Sequence, residues 1–163
     1  GKDNQEKYQE VFDAYYQYYK KHFMDYTKPF DGIRESLDYA KKKGVLLFIY
    51  TNKPQAIATE VINHSFKPGT FEKVIGIPLG GKTKPDAKAF FDQTREYGLD
   101  FTKGCYFGDS DTDILTAKNL GITNMYSVCW GYKTYEFLSN YPIHPKKILK
   151  DPHEIMKVVD NQI

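Results

Sequence analysis

From Gly44 onward the chain alternates between short apolar runs and longer segments of mixed polarity. Val45-Leu-Leu-Phe-Ile-Tyr50 is apolar throughout, the pattern of a strand covered on both faces. Pro54 predicts a helix running through His64, because proline is tolerated in a first helical turn. Lys73-Val-Ile-Gly-Ile77 reads as a second strand, and Asp86 to Tyr97 as a helix closed by Gly98. Gly104-Cys-Tyr-Phe107 is a third strand, followed by a helix from Thr112 to Leu120 that stops at Gly121. Met125-Tyr-Ser-Val-Cys129 is a fourth strand, Thr134 to Ser139 a helix, and Lys147-Ile-Leu149 a short fifth strand. Strands separated by helices pair in parallel through crossovers. The expected fold class is therefore α/β, a Rossmann-like parallel sheet with flanking helices.

Ahead of Gly44 the period changes. Tyr8, Phe12, Tyr15, Tyr16, Tyr19 and Phe23 recur at helical steps and lay one aromatic stripe along a helix, which reads first as packing surface. Lys28-Pro-Phe-Asp-Gly32 is a turn, with Asp31 expected to cap a second helix that ends at Lys43.

Composition narrows the class. At 163 residues, 40% hydrophobic and 16% aromatic, the chain can bury one core. Its 23 basic and 21 acidic residues leave a net charge of +2, and no basic block interleaves with aromatics, so no nucleic-acid partner is expected. Cys105 and Cys129 lie in apolar runs and read as buried reduced thiols. The apolar run from Val45 to Tyr50 is far too short to span a bilayer, and no segment reads as a signal peptide. A cytoplasmic protein without a membrane partner is the expectation.

Candidate chemistry gathers where strands end, because ligands of parallel sheets collect at the carboxyl ends of the strands. Thr51-Asn52-Lys53-Pro54 follows the first strand with a hydroxyl, an amide and the N–H groups of a helix start. These suit a phosphate, and they are equally ordinary turn chemistry. In Gly80-Gly-Lys-Thr-Lys-Pro-Asp86, Lys84 is placed to neutralise a phosphoryl group and a carboxylate; Lys82 competes for that role. Tyr106-Phe-Gly-Asp-Ser-Asp-Thr-Asp-Ile114 ends a strand in carboxylates. There Asp109 is placed to ligate a hard cation such as Mg²⁺, with Asp113 one turn on to hold or orient it, and Asp111 as a helix cap.

The order of Thr51, Lys84, Asp109 and Asp113 resembles that of the haloacid dehalogenase superfamily, and most closely its phosphoglycolate phosphatase-like branch. Phe48-Ile-Tyr-Thr-Asn-Lys-Pro54 looks like the family's second motif, Lys84-Pro85 its third, and Gly108-Asp-Ser-Asp-Thr-Asp113 its fourth. Tyr26 to Gly32 is similar to its passage from cap to core, and Trp130-Gly-Tyr132 to its turn after the next strand. The resemblance implies Thr51 and Lys84 as catalytic residues, Thr51, Asn52 and Lys84 as phosphate ligands, and Asp109 with Asp113 as the Mg²⁺ site. It implies residues 1–27 as a helical cap remnant and 28–163 as the core. It also implies a small phosphorylated metabolite as substrate, hydrolysed through an aspartyl-phosphate.

One departure stands out. The family's first motif, a strand ending in Asp-x-Asp-x-Thr, has no match upstream of Thr51: Asp3, Asp13, Asp25 and Asp31 are isolated, and none ends an apolar strand. In the family that strand lies between the one leading to Thr51 and the one leading to Asp109. The expectation is a C-terminal portion inactive alone, with an N-terminal segment supplied by another chain or self-association through the aromatic stripe. The alternative is a non-catalytic truncated subunit used in binding or assembly. A phospho-receiver domain is disfavoured because its acceptor Asp precedes its Thr and Lys, and a dinucleotide fold because no G-x-G-x-x-G follows the first strand.

Overall fold

In the computed structural model, residues 2–78 and 81–161 are described, with backbone only for residues 2–6, 8, 9 and 12. Gly80, and the side chains of Asp3, Tyr8 and Phe12, lie outside the described residues. α1 (Lys2–His22) is a single helix. Its stripe is self-stacked: the Tyr15 and Tyr19 rings lie 5.8 Å apart and nearly parallel, and Tyr19 meets Phe23 at an angle. α2 (Ile33–Lys42) follows. Asp31 does not cap it. The chain turns at Gly32, which takes the capping position at φ 85° with no side-chain bond to the first turn, and Asp31 falls one residue too early.

Next come β1 (Phe48–Pro54), α3 (Gln55–Ser65), β2 (Lys73–Ile77) and α4 (Lys88–Thr94). They are followed by β3 (Cys105–Gly108), α5 (Asp111–Asn119), β4 (Asn124–Val128), α6 (Tyr135–Ser139), β5 (Lys147–Leu149) and α7 (Glu154–Asp160). β1 starts and ends later than its apolar run suggests. Pairing with β2 begins at Phe48↔Lys73 and, across an irregularity, reaches Pro54↔Ile77, so Thr51 to Lys53 belong to the strand end. Pro54 is the residue before α3 rather than its first turn.

All pairings are parallel, in two sets: β1-β2 and β3-β4-β5. No ladder joins β1 to β3 among the described residues. Yet both sets feed one core cluster, and a second, on the other face of β3-β4-β5, is reached from the first set by Leu47 just ahead of β1. Phe48, Tyr50 and Ile75 pack with Tyr106, Met125 and Ile148 on one face, with Phe90, Ile114 and Leu138 of the covering helices. Leu47, Phe107, Tyr126 and Leu149 pack on the other, against Ala40, Ile155, Val158 and Val159. The two sets are thus one helix-covered layer, open between β1 and β3. The thiols of Cys105 and Cys129 are free and half-buried, and burial holds both above the usual thiol range, as inert structural cysteines behave. Among the described residues no helix is long and apolar enough to cross a membrane.

Candidate active site

The acidic turn is shaped by one carboxylate folding back over its own helix start. Ser110 precedes α5 in extended conformation (φ −145°, ψ 165°) and its hydroxyl donates to Asp113 Oδ2 at 2.6 Å. The Asp109 N–H donates to the same oxygen at 3.2 Å. Asp113 therefore satisfies the helix entry, as an acidic residue in the first turn can. Asp111, expected as the cap, is already the first helical residue and caps nothing. Residue 108 has to be glycine here: a Cβ on it would stand 2.2 Å from that of Asp113.

The other oxygen of Asp113 meets Lys84. The Nζ–Oδ1 distance is 2.6 Å, with the two side chains only 12% and 7% exposed. The Tyr106 hydroxyl lies 3.2 Å from Oδ1 and 3.4 Å from Lys84 Nζ, and the Tyr50 ring is 6.0 Å from the ammonium. Burial alone would raise the Asp113 carboxyl. The Lys84 charge, with bonds from Lys84, Ser110 and Tyr106, outweighs it and holds the group below the usual carboxylate range. Burial, then the Asp113 charge, pushes the Tyr106 phenol far up. Asp113 has each oxygen approached by two donors, so it is saturated. Lys84 has three N–H groups and spends two, on Asp113 and Tyr106, leaving one for an anion. Lys82, the competing lysine, is 78% exposed and pairs with Asp86 at 3.4 Å, outside this cluster.

The end of β1 is tied in from the other side. The Lys84 N–H donates to Asn52 Oδ1 at 2.7 Å. Thr51 Oγ1 accepts from the Lys53 N–H at 3.2 Å, so its own proton is free to meet an anion. Asp109 completes the group. Its Oδ2 accepts from the Tyr132 N–H at 2.7 Å and its carbonyl from the Lys133 N–H at 3.1 Å, clamping the turn after β4 onto it. Glycine at 131 permits this, since a Cβ there would lie 2.1 Å from Asp109 Oδ2. Asp109 Oδ1 has no bond among the described residues.

The structure thus brings Asn52, Lys84, Asp113 and Asp109 into one continuous line of hydrogen bonds, with Thr51 beside Asn52. What the sequence reading missed is the phenol lining: Tyr106 alternates with Cys105 and Phe107 at the end of β3, and that parity already puts it on Lys84's side. Two cavities, of about 340 and 370 Å³, contain none of these residues. Chemistry, not concavity, marks the site.

The donor set suits a hard cation in part. Among the described residues no three His, Cys, Asp or Glu side chains converge as a complete cage. One free carboxylate oxygen, however, is a normal protein share for Mg²⁺, which keeps several waters and takes phosphate oxygens.

A model of haloacid dehalogenase-like hydrolases matches residues 2–126, well over half of the chain. The chain belongs to that family. Within it, a phosphoglycolate phosphatase of Aquifex aeolicus is 28% identical over 155 residues, covering 93% of this chain and 70% of that protein. A phosphoglycolate phosphatase of Caulobacter vibrioides is 32% identical over 114 residues, covering 70% of this chain and 48% of that protein. A crystal structure from Lactobacillus delbrueckii subsp. bulgaricus, described as a candidate phosphoglycolate phosphatase, superposes with a TM-score of 0.85 at 27% identity, covering 95% of this chain and 63% of that one. This chain therefore spans between about half and 70% of the length of these relatives.

Proposed function

We propose that this haloacid dehalogenase-like chain is the C-terminal portion of a Mg²⁺-dependent phosphatase that hydrolyses a small phosphomonoester of the phosphoglycolate kind. The nucleophilic carboxylate comes from a strand outside the chain. The observation that carries this reading is the line of bonds from Asn52 through Lys84 and Asp113 to Asp109. It joins three segments far apart in sequence: the end of β1, the stretch before α4, and the turn into α5. The opening between β1 and β3 supports it, being the place where one more parallel strand would satisfy two unpaired edges. The names and lengths of the relatives point the same way.

In this reading Thr51 and Asn52 hold the phosphate, and the remaining N–H of Lys84 offsets charge on its equatorial oxygens. Asp113 fixes Lys84 in place. Asp109 offers its free oxygen to Mg²⁺, with Asp113 behind it through the Asp109 N–H. The ion supplies further charge against the phosphoryl oxygens. An incoming carboxylate oxygen bonds to phosphorus as the ester P–O bond breaks, and water then hydrolyses the aspartyl-phosphate.

By itself the chain is expected to turn over p-nitrophenyl phosphate at background. Titration calorimetry is expected to show inorganic phosphate binding that depends on Mg²⁺ and is weakened by Asp109→Asn. Robust turnover by the chain alone, or phosphate binding indifferent to both Mg²⁺ and Asp109, overturns the reading. The other reading, a non-catalytic subunit, rests on the same open sheet. It differs in that no strand-bearing partner chain would restore turnover.

A further inference from the structure

A second place with unspent chemistry lies at the far end of α3. That helix starts at Gln55, directly after the strand end that carries Thr51 and Asn52, and finishes at Ser65. Its 11 residues rise about 16 Å, so what gathers at its last turn is no part of the phosphate site. There a cavity of about 340 Å³ opens between α2 and the stretch leading to β2. Arg34, Leu37 and Asp38 line it from α2, three and four residues apart and therefore on one helix face. Arg34 Nε donates at 3.0 Å to the Ser65 carbonyl, one of the last carbonyls of α3, which have no partner inside the helix. That bond anchors the guanidinium by one nitrogen, and its two terminal nitrogens have no partner among the described residues. Phe66 leaves α3 in extended conformation (φ −133°, ψ 157°), and its ring is braced edge-on by Phe71 at 5.3 Å. The Thr70 hydroxyl and N–H both donate to the Lys67 carbonyl, at 2.8 and 3.2 Å, and fix the loop that bounds the cavity.

We infer that this cavity is a second binding site, for a small monocarboxylate with a compact apolar body, and that it works independently of the phosphatase chemistry. The free edge of a guanidinium presents two parallel N–H groups, the match for the two oxygens of a carboxylate. Charge decides the valence. Lys67 Nζ lies 3.4 Å from Asp38 Oδ2, so those two offset each other, and Arg34, in no ion pair among the described residues, leaves one positive charge over. One charge suits a carboxylate better than a doubly charged phosphate. Leu37 and Phe66 supply the apolar wall, and His64, also without a bonded partner among the described residues, adds a polar ring to the lining. The volume stands at the lower end for small-molecule sites, which sets the size of the guest.

The test is an NMR titration of the full chain, without Mg²⁺, using benzoate and its neutral counterpart of the same shape, benzamide. Benzoate is expected to shift the amide signals of Ser65, Phe66 and Lys67, with an affinity about tenfold or more above that of benzamide, as a charge-assisted bond provides. Arg34→Met should abolish the difference between the two ligands. Asp109→Asn should leave it intact, so this site and the phosphate site stand or fall separately. Should Arg34→Met not fold, Lys67→Met carries the test: it alters an 82% exposed side chain and leaves the Asp38 charge uncompensated beside the cavity, which should weaken benzoate and spare benzamide. Equal binding of the two ligands, shifts confined to other parts of the molecule, or a preference for benzoate that survives these substitutions overturns the inference and leaves Arg34 as a cap on α3 alone.

Discussion

Lys84 and Asp113 form an ion pair closer to a core feature than to a surface one, and that decides how each substitution behaves. Removing one partner strands a buried charge, at a cost of about 3–5 kcal/mol, while replacing both with apolar residues is far milder. Lys84→Met is therefore expected to lower stability in urea unfolding by about that amount, and Lys84→Met/Asp113→Leu to recover most of it. The pair also sets an acid limit. Because the folded Asp113 carboxyl lies below its ordinary value, its contribution is present above the unfolded pKa of about 4 and is lost as pH falls through the lower folded one. The gap between wild type and Lys84→Met should close below that pH; a gap unchanged down to strong acid would contradict the pairing. Ser127 makes the opposite case. It is fully buried, and its hydroxyl has no partner among the described residues, so Ser127→Ala should leave the unfolding midpoint unchanged or raise stability by up to about 1 kcal/mol. The places of Lys84, just before Pro85, and of Asp109, just after Gly108 at the end of β3, were legible in the sequence, whereas Thr51 and Asn52 lie inside β1 and not in a turn after it. The Lys84–Asp113 bond was not legible, since it joins residues 29 apart and nothing in one chain's pattern says which lysine, 82 or 84, turns inward.

Elements show the same division. The strands at Lys73–Ile77 and Lys147–Leu149 fall where the apolar runs put them. Aspartates near helix starts do not read as clearly, because the same residue serves as cap or as first-turn acid: the sequence offers Asp31 and Asp111 as caps and neither is one. α7 was overlooked although Asp151-Pro152-His153-Glu154 carries its entry signal. Asp151 Oδ1 accepts from the His153 N–H at 2.8 Å. Glu154 reaches back to the Lys150 and Asp151 N–H groups at 2.7 and 3.3 Å, the reciprocal pattern of a capping box with proline inside it. A bond from Lys147, then those N–H groups, lowers the Glu154 carboxyl to about 2. With the folded pKa below the unfolded value of about 4.3, this cap stabilises above pH 4.3 and fades between there and about 2. Glu154→Ala should cost about 1 kcal/mol at neutral pH, and thermal unfolding should show that difference disappearing toward pH 2. A loss equally large at pH 2 would mean packing, not charge, holds the α7 entry.

For the molecule as a whole, the two parallel sets form a layer that α/β sequence patterning predicts well and sheet continuity does not. Alternation tells which residues face a helix; it does not tell whether neighbouring strands in the chain are neighbours in the sheet. Here β1 and β3 each keep one unpaired edge among the described residues, and sheet edges invite pairing with another chain. α1 adds a second adhesive surface, with Val11, Tyr15 and Tyr18 exposed at 66%, 61% and 65%. At a net charge of only +2, little long-range repulsion opposes contact. The chain is therefore expected to self-associate, its sedimentation coefficient rising from micromolar to near-millimolar concentration. Tyr15→Ser/Tyr18→Ser separates the two surfaces, because it removes the ring face and leaves every strand untouched. Association lost in this variant assigns it to α1, and association retained assigns it to the sheet edges. A monomer at every concentration would show that neither surface is adhesive, and that the opening in the layer is tolerated without a partner.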